Sequence, residues 1–162
     1  MDPANLTMSA VAAELGVSPS ALYRWVADRE ALLDLVGITM VERIMPASEA
    51  RSDNWQEWLT EFAYNVRREF AAVPGFAVRI LTGPHRQSAH APLNQAGVQA
   101  FTAAGAAPDY AQQCWYAFSI AVLGWTAAEH AGTLPGPIPM DFDVLLRILL
   151  CGMNLQPEEP GP

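Results

Sequence analysis

Lysine is absent from this chain, and all nine of its basic residues are arginine. Seventeen acidic residues stand against them, leaving a formal charge of −8 and an isoelectric point near 4.7. So acidic a chain does not gather nucleic acid or an anionic membrane through net charge, and any DNA contact must come from a local surface. Charge of either sign is sparse, at 16%, while 51% of the residues are hydrophobic. That excludes intrinsic disorder. No uninterrupted apolar run reaches the roughly 20 residues of a membrane span. The only cysteines, Cys114 and Cys151, lie in apolar stretches without ligand spacing. With no secretory leader pattern, this reads as a reduced, cytoplasmic protein.

Catalytic signatures are missing as well. There is no Gly-x-Ser-x-Gly elbow, no Cys-x-x-Cys pair and no glycine loop shaped to cradle phosphate. An enzyme is the weakest function class the residues allow. His85 and His90 have no acid or cysteine close by in sequence, and His130 is distant from both. Neither a metal site nor a cofactor is expected.

Alternating β-branched runs are lacking, and an apolar period of 3.6 residues replaces them nearly everywhere. The fold class is all-α. Thr7 suits an N-cap for a helix to Leu15, stopped by Gly16. Ser18 and Pro19 open a second helix to about Val26. Asp28 caps a longer one through Ile44, ended by Pro46. Asp53 and Gln56 have the spacing of a capping box for a helix to about Val73. Phe76–Leu81 is a short helix. Residues 85–92 read as a loop, followed by a helix over Leu93–Ala104 closed by Gly105. Pro108-Asp109 starts a helix to His130, and Asp141–Leu155 is the last.

Residues 8–26 have the constraints of a helix-turn-helix. Ala12 is small where two helices cross, Gly16 supplies the turn, and Val11, Leu15, Val17 and Leu22 pin one helix to the other. The second helix has a polar and aromatic outer face of Ser18, Ser20, Ala21, Tyr23, Arg24 and Trp25. Such a helix can enter a major groove of double-stranded DNA. Arg24 is suited to two acceptors on guanine; a surface pair with Asp28, four residues on, is its alternative role. A plain helical hairpin would satisfy the same spacing.

The wording from Leu6 to Val36, with Leu-Gly-Val-Ser-Pro-Ser-Ala-Leu-Tyr-Arg-Trp at its centre, closely resembles the tetracycline-repressor (TetR) family of bacterial transcriptional regulators. Asp53-Asn54-Trp55-Gln56, Leu81-Thr82-Gly83-Pro84, Val122-Leu123-Gly124 and Leu149-Leu150-Cys151-Gly152 fall in the order of the tetracycline-responsive branch. The resemblance implies a homodimeric repressor with an N-terminal DNA-binding head and linker helix over residues 1–45, and a helical body over 46–162 that binds a small effector and dimerises. Carried over by position, Thr7 would meet phosphate, Ser18, Ser20 and Ala21 would approach bases, and Tyr23 and Trp25 would clamp the backbone. Arg29 stands where the family usually has a phosphate-binding lysine. The family head has one further helix, and only Met1–Asn5 precede Leu6. Val11, Leu15, Leu22 and Val26 are therefore expected to lack part of their cover. A helical ligand-binding or dimerisation module that does not bind DNA is the rival reading. Residues 1–30 hold four acids against two arginines, a net −2, so the salt dependence of DNA binding should be shallow.

In the tetracycline-responsive branch a magnesium–drug complex is held at places that correspond here to Met45, Phe62 and Arg79. A thioether, a phenyl ring and a cation cannot repeat that chemistry. The expected effector is instead apolar or aromatic, bound without metal. Its candidate walls are Met45, Phe62, Val66, Phe70, Trp115, Phe118, Val122 and Trp125, with Arg79 as the one charge entering the cavity. Ala117, Ala121 and Gly124 form a small-residue stripe beside these aromatics. Together with Leu145, Leu149 and Met153, on a last helix that is apolar all round, they are the expected dimer face.

Overall fold

The computed structural model describes residues 6–73, 75–82, 87–136 and 140–152, with side chains except at 87–89. Within them the chain is all-helical: α1 (Met8–Glu14), α2 (Pro19–Leu22), α3 (Arg29–Ile44), α4 (Trp55–Ala71), α5 (Phe76–Thr82), α6 (Gln87–Ala103), α7 (Pro108–His130) and α8 (Phe142–Gly152). No described helix is long and apolar enough to cross a membrane.

Local chemistry places the first three helices. The Thr7 hydroxyl accepts from the Ala10 amide, Ser18 from Ala21 and Asp28 from Ala31, so each start satisfies one orphan amide. Gly16 takes φ +67°. It lets Val17 N donate to Ala12 O at 2.9 Å and Gly16 N to Ala13 O at 3.1 Å, closing α1 in a left-handed cap.

Three expectations change. The α-helix α2 ends at Leu22 rather than Val26, and the chain tightens. Arg24 N donates to Ala21 O and Trp25 N to Leu22 O, three residues back instead of four. The capping box does not form, because Asp53 pairs with Arg51 at 3.1 Å and Asn54 is the cap residue of α4. Asn54 spends its side chain on the preceding loop, accepting from Arg51 N and donating to Glu49 O. Finally, α6 begins at Gln87, inside the stretch read as a loop, and Pro92 stands within it. A proline this near a helix start removes a single backbone bond, which tertiary packing can offset.

Two cores result. The small one holds Met8, Ala12, Leu22 and Val26, with Val11, Ala31 and Leu32 against it. The large one gathers α3 to α8 around Trp58, Phe62, Phe70, Phe101, Trp115 and Phe118. Helix α3 serves both: Ala31 and Leu32 close the head, while Leu33, Met40, Val41 and Ile44 belong to the large core. Helix α8 docks through Phe142 and Leu146, both buried. Phe142 packs on Trp125 and Tyr64 at ring separations of 5.8 and 5.6 Å, and the Arg67 guanidinium lies over it. Arg67 also grips Glu129 through two bonds of 2.8 and 2.6 Å, and Tyr64 donates to Asp143.

Helices α6 and α7 approach each other closely at Gly97. A Cβ on Gly97 would meet the Trp115 ring at 2.2 Å. Gly97→Ala should therefore cost about 1–3 kcal/mol through overpacking, although replacing a helical glycine normally gains about 1 kcal/mol. Gly37→Ala, whose Cβ would find His90 and Phe76 at an ordinary 3.9 Å, should show that gain. Urea midpoints of the two variants should move in opposite directions.

Candidate functional site

Two surfaces carry chemistry. The first is the outer side of the helix-turn-helix. Thr7, Ser18, Ser20, Tyr23, Arg24 and Trp25 are exposed and Ala21 is half-buried. Trp25 is 86% exposed, an extreme for so large an apolar ring. No ion pair joins Arg24 to Asp28 among the described residues, and the Asp28 carboxylate is the cap of α3. Arg29 is placed differently from its neighbours. Its Nε donates to Leu6 O at 3.0 Å and its Nη1 to Glu30 at 2.9 Å, so it ties the chain entry to α3. Of the residues expected to lack cover, Leu22 and Val26 are buried, Val11 is half-buried and Leu15 is 62% exposed.

The second surface is a cavity of about 590 Å³ in the body, within the range of sites for drug-sized molecules. Helix α3 contributes Gly37, Met40, Val41 and Ile44, and α4 contributes Phe62, Val66 and Phe70. Phe76, Ile80 and Leu81 come from α5, and His90, Leu93 and Asn94 from α6. Helix α7 supplies Trp115, Tyr116, Ser119, Ile120 and Leu123. Tyr116 and Ile120 are exposed and sit at the rim.

Four of the expected wall residues thus meet around the cavity: Phe62, Val66, Phe70 and Trp115. The others lie elsewhere. Phe118 is in the core between Phe62 and Phe101, Val122 is fully buried there, and Trp125 packs beneath α8 on Phe142. Met45 follows α3 and packs on the large core from outside. Arg79 does not enter the cavity: its Nη2 donates to Glu30 at 2.6 Å. A carboxylate on α3 is a stronger partner for a guanidinium than a cavity whose described walls hold no acid. The sequence reading overlooked all of α3 and α6 as cavity walls. On α7 the face that meets the cavity is turned by about one residue from the aromatic stripe, whose Trp115 alone it retains.

Among the described residues no group of three histidines, cysteines or acids could hold a metal ion. Cys114 is buried, Cys151 exposed, and both are free thiols; burial pushes the Cys114 thiol upward. On the expected dimer face Ala117 is exposed, and Ala121, Gly124, Leu145 and Leu149 are half-buried. Met153 lies outside the described residues. Helix α8 is two-sided rather than uniformly covered, with Phe142 and Leu146 inward and Val144 and Ile148 exposed.

No protein-family model and no curated protein matches the chain. Solved structures do. A TetR variant from Acinetobacter baumannii AYE in complex with minocycline is 25% identical, with a TM-score of 0.71 over 93% of this chain and 85% of that one. A possible TetR family transcriptional regulator from Streptomyces coelicolor is 28% identical, with a TM-score of 0.67 over 86% of this chain and 69% of that one. BioQ with its double-stranded DNA operator shares the fold at 23% identity, with a TM-score of 0.70 over 92% of this chain and 86% of that one. The chain has the fold of TetR-family transcriptional regulators. These neighbours are transcriptional regulators and not enzymes.

The Arg29–Glu30–Arg79 cluster, which joins head, linker helix and α5, is sensitive to acid. The Glu30 carboxyl is held below its ordinary value of 4.5, first by its hydrogen bond from Arg79 and then by the charges of Arg79 and Arg29. A carboxylate lowered on folding stabilises the fold above its unfolded pKa, and that contribution fades as pH falls through the folded value. Glu30→Gln should be less stable than the parent chain at about pH 7, and the difference should shrink as pH falls below the ordinary carboxylate range. Thermal midpoints across that range measure it.

Proposed function

We propose that this chain is a TetR-type repressor whose head, residues 1–45 with the linker helix, binds operator DNA. A small, largely apolar effector in the body, residues 46–162, releases it. The observation that carries the reading is the double membership of α3. Its first turn closes the head core, and its later turns, from Gly37 to Ile44, form one wall of the cavity. A molecule in the cavity thus touches the rigid element on which the head is built. It can move the head only by binding one arrangement better than the other. The minocycline carried by one structural neighbour is a small molecule bound to a chain of this fold.

DNA contact is assigned to Thr7, Ser18, Ser20, Ala21, Tyr23, Arg24 and Trp25. Arg29 acts indirectly, by holding the start of the head against α3. The protein is read as a cytoplasmic two-fold homodimer, paired through the outer sides of α7 and α8. Ala117, Ala121 and Gly124 allow close approach there, and Ile148 leaves an apolar side chain 64% exposed in the single chain.

The test is a gel shift of the whole chain on its own upstream DNA, with light scattering beside it. The dimer should read two half-sites about 34–36 Å apart, or a multiple of that distance. Arg24→Ala should cost about 1–3 kcal/mol and relax preference at one base position. Tyr23→Phe should weaken binding to all sequences alike, as loss of a phosphate contact does. Equal loss on specific and random DNA for Arg24→Ala would remove it as a base reader. A stable dimer that shifts no upstream DNA would favour a ligand-binding module without DNA activity. The exposed Leu15 and the acidic head are the observations that speak for that second reading.

A further inference from the structure

The cavity's lining identifies the class of molecule it accepts. None of the described lining residues is an aspartate, glutamate or arginine, and His90 alone among them can carry a positive charge; Arg79, next to the wall residue Ile80, is bound to Glu30 outside the cavity. A charged ligand group would lose its hydration there and find no carboxylate or guanidinium among the described walls to pair with, which costs more than apolar contact returns. Most of the wall is aliphatic or aromatic, and its breadth suits several fused rings or a comparably wide apolar body.

The polar groups are few, and two of them on the α6–α7 wall have defined hydrogen-bond capacity. The indole N–H of Trp115 donates to Asn94 Oδ1 at 3.0 Å. An indole is a donor only, so it fixes which end of the amide faces it. One lone pair of the Asn94 oxygen is thereby engaged, and the amide nitrogen keeps two donor hydrogens. Ser119, on α7 one turn beyond Trp115, has its hydroxyl oxygen buried without any partner. A helical serine can return its proton to the carbonyl four residues back, and this one does not. A buried hydroxyl left unpaired forfeits the hydrogen bonds it makes to water in the unfolded chain. A ligand that satisfies it recovers that loss. Both residues line one cavity, and each can donate a hydrogen bond there.

We propose that the cavity binds an uncharged, broad apolar molecule carrying a carbonyl-type acceptor oxygen, received by the Ser119 hydroxyl and the Asn94 amide nitrogen. This rests on the reading of the cavity as the effector site and adds the ligand's charge and its anchoring atom. It also replaces the carboxylate-bearing ligand that a cavity-facing Arg79 would have implied.

Three anthracene probes of nearly equal shape test it by calorimetric titration of the whole chain. At one shared ring position they carry an acetyl group, an isopropenyl group or a carboxylate. The acetyl ketone should bind about fivefold tighter than the isopropenyl hydrocarbon, the worth of one neutral hydrogen bond. The carboxylate should bind at least about tenfold more weakly than the ketone. In Ser119→Ala the ketone should lose a large part of its advantage over the hydrocarbon, whose affinity should hold. Asn94→Asp, which removes the amide donors while keeping the acceptor for Trp115, should weaken the ketone again. A carboxylate that binds as well as the ketone, or a ketone advantage unchanged in Ser119→Ala, would overturn the proposed ligand class and leave the cavity as the effector site. If none of the three probes binds, the effector site itself is lost and the proposal falls with it.

Discussion

Trp115 stands where it does because Gly97 has no side chain. The indole lies against the α6 backbone so closely that a single methyl group there would overlap the ring. From that position it meets Phe62 at 4.9 Å and Trp58 at 6.4 Å, and its N–H reaches Asn94 one turn back along α6. Much of the body is organised by this contact. With the ring pressed onto α6, the α4 aromatics pack behind it as core, and the space toward α3 and α5 stays unfilled. The same tryptophan is thus core on one side and cavity wall on the other. A core is normally packed to the density of an organic crystal, so a void of this size persists only where rigid partners hold its walls apart. The Arg67–Glu129 pair and the docking of Phe142 brace α4, α7 and α8 on the far side of that wall.

The parts of this architecture that were legible in the sequence are those fixed by local chemistry. Thr7, Ser18 and Asp28 announce helix starts because a short oxygen-bearing side chain can reach the amide three residues on. Pro108 and Gly132 bracket α7, since proline fits a first helical position and glycine the residue past the end. Asp53 misled because a cap residue can be outbid: Arg51 is beside it, and Asn54 takes the position. The start of α6 was hidden for a related reason. Pro92 has the signature of a break, but the packing of α6 against α7 outweighs one missing backbone bond. The cavity was the least legible feature. Size and spacing along α7 group Trp115, Phe118, Val122 and Trp125 correctly as a face, yet say nothing of whether a void or a neighbouring helix lies opposite. Three of the four met neighbours. Arg79 was misplaced because its partner, Glu30, is distant in the chain and no local pattern connects them.

That pair also bears on how the cavity and head can communicate. Glu30 lies on the first turn of α3, where the helix is still part of the head, and Arg79 lies on α5 beside the cavity residues Ile80 and Leu81. Helix α5 is therefore tied to the head end of α3, while Gly37, Met40, Val41 and Ile44 line the cavity further along the same helix. An uncharged ligand cannot act on these ion pairs through its own field. Its influence has to come from shape: how far it separates α3 from α7, and whether α5 follows α3 or is left behind. A ligand that fits the cavity equally well in both positions of α3 shifts nothing, however tightly it binds. The discriminating contacts are then those on the α3 side, where Gly37 leaves the wall without a side chain and Phe76 and His90 are its nearest neighbours. The polar anchor on α6 and α7 fixes where the ligand sits, and the apolar surface of α3 decides what its presence does to the head.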